Sequence, residues 1–336
     1  MNSGNSLHSN VPPATYGSGV IAGGESSQDT SAFLNCNFRV LSQSVCITDI
    51  NFQEQSFSVF TELSLVPIHP ELRQICLNLG TDALLPNELP EASGGRVTVN
   101  DEDAEYTRRD PLEFLVQCPD QSLRRLSQQM YDVLEDSEGE LLINVPESCY
   151  DNMDEQMVVK VGIDIRVIKP KQGIQFVGYF SRDGILEKGA HMYTFRYGID
   201  YNCSSNVLSS TRQWLPSLDA PDQLCLWRIE ITVDAAFIAI ASGELIDTVY
   251  TEDMHSKVYH YQLLLPTSAV NVGFAVGHFT PIVQPDMSEI TSFALPSLMA
   301  LVKHTASTVD RVFEFFEELL SCRFPYSSYK QVFVDQ

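Results

Sequence analysis

Metal-dependent hydrolysis needs two histidines on adjacent helical turns with a glutamate base between them, H-E-x-x-H, and a third ligand further along. The seven histidines of this chain, His8, His69, His191, His255, His260, His278 and His304, contain no such spacing. Only His255 and His260 are near each other. Five residues apart on a strand they would point to opposite faces, so they read as surface or hydrogen-bonded side chains and not as a ligand pair. A serine nucleophile would sit in a G-x-S-x-G elbow, which is absent. None of the eight cysteines (Cys36, Cys46, Cys76, Cys118, Cys149, Cys203, Cys225, Cys322) has the helix-start or basic setting that lowers a thiol pKa. Gly17, Gly19, Gly23 and Gly24 could cradle a phosphate only between a strand and a helix, and they lie in a polar stretch with neither. The run Asp101-Glu102-Asp103 lacks the glycine and alternating ligands of a calcium loop and reads as a solvated acidic loop. Arg108-Arg109 and Arg124-Arg125 are embedded among acids, which makes them salt-bridge partners before they are phosphate contacts. This inventory assigns no catalytic residue, no metal ligand, no cofactor-binding residue and no cofactor.

The chain that must position any other activity has 336 residues, 44% hydrophobic and 10% aromatic, enough for about two domains with a sizeable core. Its 21 Lys plus Arg face 44 Asp plus Glu, a net charge of −23. That balance opposes autonomous binding to nucleic acid or an anionic membrane. The acidity is concentrated: Thr81 to Lys160 holds 19 acids and 6 bases. No run of eighteen apolar residues and no signal-peptide pattern occurs, and dispersed cysteines in a chain this large read as mostly reduced core thiols, consistent with cytosol or nucleus. The sequon Asn202-Cys203-Ser204 therefore lacks the secretory context it needs.

Residues 1–34 are poor in large apolar side chains and predict a disordered tail. Period-two alternation then dominates: Phe57, Val59, Thr61, Leu63 and Leu65 share one face, as do Val159, Val161, Ile163, Ile165 and Val167. Further strands are expected at Val45–Phe52, Gln74–Leu79, Arg96–Val99, Gln175–Phe180, Met192–Tyr197, Cys225–Val233, Phe237–Ser242, Val258–Leu265 and Asn271–Val276, together an extended antiparallel assembly. One outer helix is predicted through Leu123, Leu126, Met130 and Leu134. After Pro285 the period becomes helical. A helix from about Ser297 to Ser321 carries Leu298, Leu301, Val302, Val309, Val312, Phe313 and Phe316, followed by a Phe324-Pro325-Tyr326 turn and a strand with no later partner.

Several stretches form an ordered set. Ser210-Thr211-Arg212-Gln213-Trp214-Leu215-Pro216-Ser217-Leu218-Asp219-Ala220-Pro221, with Trp227–Val233 and Ser242-Gly243-Glu244-Leu245 after it, resembles the A-R-x-x-F-P-C-x-D-x-P block of the zinc aminopeptidase superfamily. Val272–Phe279 resembles that superfamily's domain-closing strand, and Phe313–Phe316 through Phe324–Ser327 its first catalytic-domain helix and F-P-Y turn. Lys188–His191, Val233–Ala236, Asp247–Met254 and Lys303–Thr305 resemble one branch, the aminopeptidase-like TBP-associated factors of TFIID subunit 2 type.

The resemblance implies a mainly β fold: an N-terminal β-saddle or sandwich domain at 35–286, then the first helix and strand of an incomplete thermolysin-like α+β domain at 287–336. It implies a nonenzymatic nuclear scaffold, a pseudoenzyme within TFIID. Its partners would be other TFIID subunits and, through the assembly, TBP and core-promoter chromatin, in RNA polymerase II preinitiation complexes. Weak or no DNA binding by the chain alone and no membrane role are expected. Active relatives carry a T-Q-x-E-type segment that grips the substrate amine, whereas Tyr201–Asn206 offers no matching Gln or Glu, and the G-A-M-E-N loop and zinc helix would lie beyond Gln336. Two alternatives stay open: the N-terminal substrate-side domain of a cytosolic zinc aminopeptidase, and an unrelated acidic β adaptor.

Overall fold

The computed structural model describes residues 37–68, 72–89, 94–109, 139–152, 157–178, 189–195, 211–285 and 287–334. The tail over 1–34, the helix expected at Leu123–Leu134 and the segment Tyr201–Asn206 lie outside the described residues. In chain order the strands are β1 (Phe38–Asn51), β2 (Ser56–Pro67), β3 (Gln74–Leu77), β4 (Ala83–Leu84), β5 (Val97–Val99), β6 (Glu102–Asp103), β7 (Tyr106–Arg108), β8 (Leu141–Asn144), β9 (Val159–Ile168) and β10 (Ile174–Val177). There follow β11 (His191–Thr194), β12 (Leu224–Asp234), β13 (Ile238–Ala241), β14 (Glu244–Tyr250), β15 (Ser256–Ser268), β16 (Phe274–Gly277), β17 (Thr280–Val283), β18 (Ile290–Ala294), helices α1 (Met299–Thr305) and α2 (Val309–Leu320), and β19 (Tyr329–Phe333).

The two strongest alternating stretches form the middle of the largest sheet. β2 and β9 pair antiparallel with Phe57 opposite Val167 and Leu65 opposite Val159, and all ten apolar-face residues named above are buried. The sheet runs β14-β15-β12-β1-β2-β9-β5-β6, with β4 also paired to β9. The β1–β2 hairpin turns on Asn51, whose Oδ1 accepts from the N–H groups of Gln53 and Glu54 at 2.9 and 3.0 Å; Asx side chains supply such local turn bonds. A second sheet, β10-β11-β16-β13, lies on the buried face: Ile174, Met192, Ala239 and Phe274 join the same core as Phe57 and Ile231. Phe274 meets Trp214 edge-on at 5.2 Å and Phe57 at 6.1 Å, the edge-to-face geometry aromatic pairs favour. The result is a mainly β sandwich.

Three expectations are corrected. The assembly is not wholly antiparallel, because β1 pairs β12 in parallel, Ser42 opposite Leu226 through Ile47 opposite Ile231. Apolar alternation reports which face is buried and carries no strand direction. The expected helix over 297–321 is two helices. Between them Ser307 Oγ bonds the carbonyl of His304 at 2.7 Å and the Gln284 amide takes the carbonyl of Ala306, so hydroxyl and amide side chains satisfy backbone groups that a continuous helix would have paired. The last strand does have a partner: β19 pairs in parallel with β18, which pairs with β17. β17 and β18 of this small sheet lie on either side of residue 286, and β4, β6, β7, β8, β14, β17 and β18 lie outside the expected stretches.

Residues 287–334 touch the sandwich through a small cluster in which Leu295 is buried with Ile240, Ala275 and Phe279. Their outer surface leaves Leu301, Val312, Phe315, Phe316, Leu319 and Leu320 exposed. Deleting residues 287–336 is expected to leave the sandwich with a cooperative thermal melt and to reduce self-association measured by light scattering, since exposed apolar patches drive association. Loss of the melting transition would instead make the helices part of the sandwich's cooperative unit.

Candidate functional site

The superfamily-like block begins with a short 3-10 turn, Thr211–Gln213, and Arg212 is buried. A buried guanidinium requires counter-charges and acceptors. Arg212 Nη1 donates to Glu140 Oε1 at 2.9 Å, and Arg212 Nε and its backbone N–H both donate to Asp219 Oδ2 at 3.3 and 3.1 Å. Glu140 Oε2 in turn accepts from the Leu79 N–H at 3.0 Å, and the Asp219 N–H donates to Asn78 Oδ1 at 2.9 Å. Asn78 and Ser217 exchange backbone bonds, and Gly80 N–H donates to Arg212 O. Gln43, from β1, reaches Pro216 O at 2.8 Å and Thr61 Oγ1 at 2.9 Å. Thr211 Oγ1 donates to Ala269 O at 3.0 Å. The block therefore clamps β1, β3, β8 and the segment after β15 together, and its arginine is spent on that clamp. Glu140, Asn78 and Gln43 had no sequence signal: they sit 18 to 173 residues from the groups they bond.

Between the sandwich and the chain from Phe324 to Val334 lies a cleft of about 920 Å³, bordered by Tyr193, Thr194, Gly243, Gln262, Tyr326 and Lys330. Lys330 crosses from β19 to the sandwich, where its ammonium donates to Gly243 O and stands 4.8 Å from the centre of the Tyr261 ring. Burial lowers its pKa to about 8, with Glu244 acting in the opposite direction. The Tyr261 hydroxyl donates to Ala239 O at 2.9 Å, and burial pushes its pKa up. A cleft of this size can hold a small molecule, and among the described residues it holds no nucleophile paired with a base.

The described residues form no zinc site. The histidine spacing it needs is missing from the sequence, and among the described residues no three His, Cys, Asp or Glu side chains come together. His255 lies in the turn between β14 and β15 and not on a strand, while His260 Nδ1 faces Glu230 Oε1 at 3.3 Å. Arg108 is held by Glu88 at 2.7 Å and by the carbonyls of Gly80 and Ala83, as a salt-bridged arginine. Cys149 and Cys225 are buried, Cys46 and Cys76 half-buried; Cys322 is exposed, unlike the core thiols expected. Two of the branch-like stretches meet at one corner, where Ala235 N–H donates to His255 O at 2.8 Å. The Asp253 carboxylate beside them accepts from Thr251 Oγ1 and the His255 N–H, which holds its pKa below the usual range. The F-P-Y turn is packed by rings: Phe313 lies 5.4 Å from Phe324 and 4.7 Å from Tyr329.

No family profile matches the chain. Over 308 residues, 89% of its length, it is 37% identical to proteins named transcription initiation factor TFIID subunit 2 from Gallus gallus and from Danio rerio. A protein of the same name from Drosophila melanogaster is 34% identical over 309 residues, again 89% of the chain. The chain spans about a quarter of the length of these relatives, 24% in each case. Among solved structures, yeast LTA4 hydrolase in complex with bestatin superposes with a TM-score of 0.63 at 14% identity, covering 92% of this chain and 40% of that one. At that identity the likeness shows the fold alone, a mainly β sandwich continued by a short segment of two helices and a strand.

Two stability measurements follow. Arg212→Met strands Glu140 and Asp219 in the interior and is expected to cost about 3–5 kcal/mol in denaturant unfolding, with much of the loss recovered when Glu140→Gln and Asp219→Asn are added. For Lys330 the folded pKa of about 8 lies below the ordinary 10.5, so the unfolded state binds the proton more tightly and the ammonium opposes folding below pH 8. Lys330→Met is therefore expected to be the more stable protein at pH 7, by on the order of 1–3 kcal/mol. That advantage should shrink as pH rises from 8 to 10.5.

Proposed function

We propose that this chain, homologous over 89% of its length to TFIID subunit 2, serves as a nonenzymatic scaffold segment of that transcription factor in the nucleus. There it contributes to core-promoter recognition and to assembly of the RNA polymerase II preinitiation complex. The similarity is the observation that carries this reading. It extends through both the sandwich and the segment after residue 286, which is more than a shared motif would cover. The commitment of Arg212 to a structural clamp and the lack of H-E-x-x-H support a role without peptide hydrolysis. Its partners are other subunits of the assembly and, through them, TBP and promoter chromatin. The surplus of acids supports weak DNA binding by the chain on its own. The aminopeptidase alternative is favoured by the LTA4 hydrolase likeness, which at 14% identity speaks for the fold.

The deciding experiment is capture of the tagged chain from nuclear extract with mass spectrometry of the bound proteins. TFIID subunits should be enriched over a tagged acidic control protein, and a partner set without them overturns the proposal. On the purified chain, elemental analysis should find no stoichiometric zinc and a chromogenic aminoacyl amide should not be cleaved. One zinc per chain with chelator-sensitive turnover would establish the aminopeptidase reading in its place.

A further inference from the structure

The largest sheet stops at β14, which pairs with β15 on one side; among the described residues no strand pairs its other side. In an antiparallel ladder, alternate residues direct N–H and C=O toward the partner strand and the others direct them away. Thr251 N–H bonds Ser256 O at 3.0 Å, which sets the phase. Val249 and Asp247 bond toward β15, and Tyr250 and Thr248 face outward. Thr248 confirms it independently: its N–H donates to the carboxylate of its own neighbour Asp247, at 2.7 Å.

Free edges are commonly protected by lysine, by proline or by a bulge; β14 has no lysine or proline, and its one register shift lies between Leu245 and Asp247, which leaves Asp247–Tyr250 in regular pairing. Leu245, Ile246, Val249 and Tyr250 are 45, 57, 46 and 48% exposed, and Met254 in the following turn is 62% exposed. The two faces of the strand differ. Leu245, Thr248 and Tyr250 stand beside Tyr261, Tyr259 and Lys257 on the side of the core, an apolar rim, because Tyr259 and Tyr261 are buried there. Glu244, Asp247 and Val249 stand beside Gln262, His260 and Val258 on the outer side; one strand further in, Glu230 continues the row of Asp247 and the exposed Arg228 that of Glu244. Of the two ammonium groups at this edge, Lys257 is drawn over the Tyr250 ring at 5.4 Å, and Lys330 donates to Gly243 O beside Glu244, which leaves Asp247 as the acid of the strand without a lysine beside it. Glu252 and Asp253 continue the negative charge into the turn.

We propose that β14 is a docking edge that receives an extended segment of another protein as an additional strand, a segment in which apolar side chains alternate with basic ones. Successive residues of an added strand point to opposite faces, so one set would lie on Leu245 and Tyr250 and the other against Glu244, Asp247 and Glu230. Its backbone would displace the Asp247 carboxylate from Thr248 N–H and add bonds at Thr248 and Tyr250, the main-chain contribution typical of strand addition. A second copy of this chain is a poor occupant: antiparallel self-pairing centred on Thr248 sets Glu244 opposite Glu252, parallel pairing sets each acid beside its own counterpart, and like charges across strands repel. The proposal is independent of the TFIID reading.

The probe is an end-blocked, fluorescently labelled peptide of alternating lysine and valine, titrated against the full chain and followed by anisotropy and by hydrogen exchange. Saturable binding is expected, with slowed exchange at Thr248 and Tyr250. Thr248→Pro removes an N–H that makes no ladder bond, which edge strands tolerate, and should weaken binding about tenfold or more. N-methylating alternate amides of the peptide, which leaves its charge intact, should do the same. If the proline variant fails to fold, the double change Glu244→Lys and Asp247→Lys provides the second arm, with binding again expected to fall. Equal binding of the methylated peptide, or protection located away from β14, overturns the proposal and reduces the interaction to diffuse charge attraction. A peptide-free dimer cross-linked through β14 overturns it in favour of self-association.

Discussion

The buried trio of Arg212, Glu140 and Asp219 is the constraint around which the rest of the sandwich is arranged. One guanidinium in the interior would be prohibitively costly alone, since a charge taken out of water must recover its solvation from neighbours. Each neighbour here belongs to a different part of the chain. Glu140 arrives just ahead of β8, Asp219 from the irregular segment before β12, and Asn78 from the end of β3. Satisfying the arginine thus fixes the relative position of three segments that share no local sequence. Gln43 extends the same network into the central sheet by bonding Pro216 and Thr61. The apolar core supplies the larger share of stability, as burial does in any domain, while the polar clamp ties β1 and the ends of β3 and β8 to the segment before β12.

That division of labour explains what the block from Thr211 to Asp219 does in this chain. Arg212 is buried with both counter-charges in contact, so the block works on the protein's own carboxylates. The neighbouring cleft carries the one buried ammonium described between the sandwich and the C-terminal strand, Lys330, and that ammonium too is turned to protein acceptors: Gly243 O and the Tyr261 ring. Both cations are used to join segments.

Legibility in the sequence followed local physics. The faces of β2 and β9 were readable because each strand has one dry and one wet side, which prints a period of two. The direction of β1 against β12 was not, because pairing direction depends on a connection of well over a hundred residues and leaves no mark in alternation. β14 was unreadable for a different reason: as an edge strand with apolar residues on both exposed faces, it has no hydrophobic period at all. The break between α1 and α2 was written in Ser307, whose hydroxyl bonds the His304 carbonyl. The apolar spacing on either side masked it. The clamp was half legible. Arg212 and Asp219 stood out as a spaced pair, whereas Glu140 was one acid among 19 in its region and could be distinguished only by the fold.

The distribution of charge over the large sheet bears on what such a surface can bind. Three of its outward basic residues are opposed: Lys160 lies 3.5 Å from Glu62, Arg166 3.6 Å from Glu54, and His260 3.3 Å from Glu230. Exposed pairs of this kind add little to stability, yet they cancel the positive potential that a phosphate backbone would need. Acids in excess of these pairs, at Glu244, Asp247, Glu252 and Asp253, are gathered where the sheet ends. A protein with this arrangement presents its unpaired main-chain groups and its surplus negative charge at the same edge. Both features select a basic extended polypeptide over a nucleic acid as the natural complement of that edge.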